Sequence, residues 1–131
     1  MFSTQSKEVP MLKFVNAYKE DIWVAYMFLA KDVCGGEGGD WQAIGWYHIA
    51  PGGSSIVYAN DLDDVNNRYW CYYAENSTRS TFWAGPYPVY VPSDGSPFNH
   101  CYKKATSNSR IIGMRLFDVD DYDDFTMTLH E

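Results

Sequence analysis

The chain has 131 residues, 46% hydrophobic and 21% charged, the proportions of one soluble globular domain long enough to bury a core. Ten Lys and Arg against seventeen Asp and Glu leave a net charge of −7. That balance argues against a nucleic-acid phosphate surface or an anionic membrane as partner, and Lys103-Lys104 is the only adjacent basic pair.

Taken in order, residues 1–10 read as a flexible lead-in ending at Pro10, and residues 11–131 as a single β-rich domain. The lead-in is polar and lacks the apolar core of a signal peptide. The longest apolar run, Ile22 to Ala30, is too short to span a bilayer. The expectation is a soluble chain without membrane insertion, cytoplasmic or exported by a route that uses no signal peptide.

Short β-rich segments separated by turn residues predict strands over Leu12–Tyr18, Ile22–Ala30, Trp41–Ile49, Ser54–Ala59, Arg68–Glu75, Thr81–Ala84, Tyr87–Val91, Arg110–Val119 and Thr126–Leu129. Asn16 to Asp21 suits a tight hairpin between the first two, and Pro51-Gly52-Gly53 is a turn. Gly35-Gly36-Glu37-Gly38-Gly39 lacks the Lys and following helix of a phosphate-binding loop, and reads as a flexible hairpin loop. Helical periodicity is weak, with one turn allowed over Asp61 to Asn67. The fold class is all-β: a single-domain antiparallel β-sandwich, or a partly open barrel, of eight to nine short strands.

Alternation adds a detail. Ile22, Val24, Tyr26 and Phe28 share one face of their strand, and Trp23, Ala25 and Met27 the other. In Arg68–Ala74, Trp70 and Tyr72 oppose Tyr69, Cys71 and Tyr73. A strand apolar on both faces is central or is covered by something else, such as a loop, a ligand or a second copy of the chain.

Several phrases then stand in a recognisable order: Trp41; Gly45-Trp46-Tyr47 with Ile49 and Pro51-Gly52; Trp70-Cys71-Tyr72-Tyr73-Ala74-Glu75; Trp83 and Gly85; Phe98 and Cys101; and Phe117 before an acidic run. In this order they resemble a bacterial family known as domain of unknown function 1036. The resemblance spans most of the chain after Pro10. It implies a compact β-rich domain, often exported, and brings no catalytic residues. Relatives tend to carry further cysteines where Phe14 and Tyr90 stand here.

Cys34, Cys71 and Cys101 are an odd number and none forms a C-x-x-C pair, so no zinc site of the usual spacing is supported. All three are expected to be reduced or structurally inert. The aspartates Asp118, Asp120, Asp121, Asp123 and Asp124 are the oxygen ligands a hard cation prefers, making Ca²⁺ the one cofactor considered. No EF-hand spacing accompanies them, and solvated turn residues are the simpler reading. His48 is a candidate for hydrolytic chemistry with a distant carboxylate, and no spacing selects a glycosidase carboxylate pair. His100 and Cys101 point to opposite faces of a strand and form no dyad.

The aromatic residues carry the binding hypothesis, because sugars stack their apolar faces on Trp and Tyr. The selected residues are Trp41, Trp46, Trp70, Tyr72 and Trp83, with Glu75 to take hydroxyl hydrogen bonds; Trp23 completes the tryptophan pool. The expected function is a non-catalytic binding or interaction module for a glycan or protein partner. Its alternatives are a small hydrolase using His48 or a carboxylate pair, and a structural subunit of a larger bacterial or phage assembly.

Overall fold

The computed structural model of the chain describes residues 11–65, 67–104, 108–120 and 124–130. The expected lead-in over residues 1–10 lies outside them. Ten strands form two sheets. They are β1 (Leu12–Asn16), β2 (Ile22–Leu29), β3 (Trp41–Ile49), β4 (Ser54–Tyr58), β5 (Tyr69–Asn76), β6 (Phe82–Trp83), β7 (Tyr87–Pro92), β8 (Phe98–Cys101), β9 (Ser109–Asp118) and β10 (Phe125–Leu129). The larger sheet runs β7-β9-β5-β2-β3-β8, with β6 added on β5, and curls until it nearly closes as a barrel. Across the gap between its two end strands, His100 Nε2–H donates to the Tyr90 carbonyl at 2.8 Å. The smaller sheet is β10-β1-β4, in which β1 runs parallel to β10 and antiparallel to β4.

The all-β class stands, and both architectures considered are present at once: a barrel-like sheet with a second sheet packed on its outside. The strand missed by sequence is β8, four residues directly after Pro97. The Asn16–Asp21 segment is no hairpin, since β1 and β2 belong to different sheets. Asn16 is fully buried and ties the crossing: Nδ2 donates to the carbonyls of Glu20 (2.8 Å) and Ile49 (2.9 Å), while Oδ1 accepts from Tyr18 N. A buried amide with its bonds satisfied fixes where the chain changes sheet.

The alternation explains the doubly apolar strands. Val24, Tyr26, Phe28, Trp70 and Tyr72 join Leu12, Phe14, Val57 and Leu129 in a core between the two sheets. Ala25, Met27, Ala43, Cys71, Tyr73, Val89, Val91, Phe98, Ile112 and Met114 form a second core. It draws on β2, β3, β5, β7, β8 and β9, so it fills the inside of the barrel.

Between β2 and β3 lies a short helix, α1 (Lys31–Cys34), followed by a single 3-10 turn over Gly36–Gly38. The loop is pinned rather than free. Cys34 and Cys101 form a disulfide with Cα atoms 5.4 Å apart, which overturns the expectation of three reduced or inert thiols. A side chain at Gly38 would meet Cys101 Sγ at 3.1 Å and Cys34 Cβ at 3.3 Å, so glycine gives the bridge room to pack closely against the turn. Cys71 is the free thiol; it is buried, and burial pushes it up to about 12, so it stays protonated.

Candidate functional site

The site is built at one mouth of the barrel by a bulge in β3. Val24 pairs with Tyr47 and Ala25 with Gly45, so Trp46 is the extra residue on its strand. Without the bulge, alternation would send Trp46 to the face that holds Ile44; with it, Trp46 joins the inside of the barrel. The peptide between Gly45 and Trp46 is cis. Gly45 leaves room for the rings beneath, because a Cβ there would meet Phe98 at 2.6 Å and Ala25 at 2.9 Å. Trp46 then packs edge-on against Tyr73 and Phe98, with ring centroids 6.0 and 5.7 Å away.

Glu75, two residues beyond Tyr73 on β5, points to that same face. Its carboxylate is almost buried and accepts four hydrogen bonds. Tyr73 Oη donates to Oε1 at 2.8 Å, and Arg110 Nη2 donates to both oxygens at 3.0 and 2.9 Å. Arg79 Nε donates to Oε2 at 3.2 Å. Burial, followed by the bond to Glu75, pushes the Tyr73 hydroxyl up to about 12, so it remains a donor at neutral pH. The Arg110 guanidinium also lies over the Trp46 ring, 5.6 Å from its centroid.

Arg79 is held over the site by the turn that follows β5. Asn76 Oδ1 accepts from the backbone N–H of Ser80 and Thr81, and its Nδ2 donates to Glu20 Oε1 and Ser80 Oγ. Arg79 takes a left-handed conformation, with φ of 60°. On the other side Trp23 stacks on His48, 4.7 Å between centroids, and His48 Nε2–H donates to Asp21 Oδ2 at 2.9 Å. The result is a cleft of 190 Å³ lined by Trp23, Trp46, Glu75, Asn76, Ser77, Arg79 and Gly95.

Of the residues selected from sequence, Trp46 and Glu75 come together here; the others go elsewhere. Trp70 (0% exposed) and Tyr72 (3%) are buried between the sheets, Trp70 against Phe28 and Tyr58, and Tyr72 against Phe14 and Phe117. They are core rings and present no surface to a ligand. Trp83 packs edge-on against Tyr18 and donates Nε1–H to the His130 carbonyl at 3.1 Å. Trp41 stands at the opposite mouth, in a separate, largely apolar cleft of 220 Å³ with Met27, Cys71, Tyr87, Tyr102 and Leu116. Sequence reasoning missed Arg79 and Arg110. Strand period puts Glu75 on the face of Tyr73, but nothing in the sequence joins residues on β9 or in a turn to them.

The acidic run is organised by an arginine. Arg68 donates to both oxygens of Asp118, at 2.9 and 2.8 Å, and lies 3.1 Å from Asp120. The Arg68 hydrogen bonds, then the Asp120 backbone N–H, hold the Asp118 carboxyl below the usual aspartate range. Both carboxylates are therefore already matched by a cation. Asp121 and Asp123 lie outside the described residues; among the described ones, no group of three or more His, Cys, Asp or Glu is placed to hold a metal. His100 bonds a backbone carbonyl, and Cys101 is in the disulfide. No helix among the described residues is long and apolar enough to cross a membrane. No family model, no curated protein and no solved structure matches the chain.

Proposed function

We propose that this protein is a binding module that holds a saccharide ring in the cleft between Trp23 and Trp46. The observation that carries the reading is the pairing of two indoles with an ion-paired Arg79–Glu75 at one barrel mouth. Indole faces take the apolar side of a sugar ring, and fixed polar groups beside them orient its oxygens. Small-molecule sites favour barrel mouths, and 190 Å³ is below the ~300 Å³ at which pockets for drug-sized ligands begin, so the cleft suits a single ring. The resemblance to domain of unknown function 1036 is part of this proposal and rests on the order of its phrases.

A glycan array run in Ca²⁺ and in EDTA tests the reading. Binding is expected to be the same in both arms, because Asp118 and Asp120 are matched by Arg68, and to be lost in Trp46→Ala. Binding that disappears in EDTA would return the metal to the site. A blank array would overturn the reading in favour of a protein partner. That second reading is supported by Tyr90 and Ile111, paired across β7 and β9, which are 36% and 62% exposed.

A further inference from the structure

The hydrogen bonding of the cleft is unbalanced, and the imbalance points to a ligand chemistry. Glu75 already accepts four hydrogen bonds, which fill the lone-pair positions of a carboxylate. Asn76 is equally engaged, its oxygen accepting two backbone N–H groups and its nitrogen donating to Glu20 and Ser80. The side-chain acceptors of Glu75 and Asn76 are thus taken up by the protein itself.

Donors are left over. Arg79 gives Nε to Glu75 and one Nη2 bond of 3.4 Å to the Ser93 carbonyl, out of the five N–H groups of a guanidinium. Its side chain is 44% exposed, within reach of an incoming group. Two of the buried donors with no partner, Trp46 Nε1 and Arg110 Nε, belong to the same site. At Glu75 itself, two guanidiniums converge on one carboxylate. Neighbouring carboxylates have partners of their own: Glu20 accepts from Asn76, Asp21 from His48, and Asp94 from the backbone N–H of Ser96.

We propose that the ring taken by the cleft bears a carboxylate, as in a uronic or sialic acid, and that Arg79 receives it. This rests on the saccharide reading above and adds its charge. A guanidinium presents paired N–H groups that match the two oxygens of a carboxylate, whereas a neutral sugar hydroxyl accepts without charge and without a paired oxygen.

The test is titration calorimetry of the full chain with glucuronate, sialic acid, glucose and galactose, at low and high salt, with indole shifts of Trp23 and Trp46 read by NMR. The acidic sugars are expected to bind with indole shifts, and to weaken as salt rises. Arg79→Gln is expected to lose about tenfold or more in affinity for them, the scale of a charge-assisted hydrogen bond. Arg79→Lys should restore part of it. Circular dichroism of both variants confirms that the exposed turn position leaves the fold intact. Equal binding of glucose or galactose would overturn the carboxylate while leaving the saccharide reading standing. Indole shifts with none of the four would overturn both.

Discussion

The slab between the two sheets and the interior of the barrel are both lined by buried apolar side chains, yet they are filled differently. In the slab, Trp70 lies 5.1 to 6.3 Å from the rings of Tyr58, Phe28 and Tyr26, and Phe14, Tyr72 and Phe117 continue the array. In the barrel the filling is Ala25, Met27, Ala43, Cys71, Val89, Val91, Ile112 and Met114, with Tyr73, Phe98 and Trp46 grouped together. Sheets packed face to face stand about 10 Å apart, room for rings from both sides. A barrel narrows as its strand number falls, so six strands converging on an axis mix small side chains such as Ala25 and Ala43 with a few large ones rather than a continuous ring array. Ring type therefore does not reveal role in this chain; the face of the strand does. Trp70 is a structural ring and Trp46 a wall of the cleft, although both are tryptophans in β-strands of one sheet.

The largest test of this contrast is Trp70→Ala. Removing a fully buried indole from the slab is expected to cost about 3–5 kcal/mol. The readout is the denaturant midpoint at unchanged slope. A loss under about 1 kcal/mol would show that the slab is not the principal core.

The disulfide sharpens the comparison from the barrel side. It joins α1 to the end of β8 across 67 residues of sequence, so replacing both Cys34 and Cys101 with Ser removes a long loop constraint, worth about 4 kcal/mol in the chain-entropy account. Amide exchange is expected to rise first in β8 and β3, with β1 and β4 protected longer. Uniform loss of protection would mean that slab and barrel open as one unit.

The smallest effect belongs to the exposed Arg68–Asp118 pair, which lies outside both cores. Because the folded Asp118 carboxyl is held below its ordinary range, its contribution is present above the unfolded value of 3.8 and is lost as pH falls through the lowered folded value. The difference in melting temperature between wild type and Asp118→Asn should be small at pH 6 and should shrink towards zero below the usual aspartate range. A difference that grows on acidification would reverse the sign and remove Arg68 as its cause.

Nine of the ten strands were legible in the sequence, because β-branched and aromatic runs bounded by Gly, Pro and Asn report local preference and period. The two-sided apolar pattern of β2 and β5 was legible as well, and it required cover on both faces. What covered them was not legible. The Asn16–Asp21 turn looked like a hairpin, since its composition is that of any tight turn; only the buried amide of Asn16 and the long-range pairing of β1 with β10 send the chain to another sheet.

The site followed the same division. Composition determined that this chain would fold as an all-β body rich in rings, and spacing along β5 determined that Tyr73 and Glu75 would share a face. Tertiary structure alone decided that Trp46 would cross to that face through a bulge, that Arg79 and Arg110 would meet at Glu75, and that Cys34 would reach Cys101. The reason is physical: strand period is a property of a few consecutive residues, whereas bulges, cross-strand ion pairs and disulfides depend on register between segments far apart in the chain.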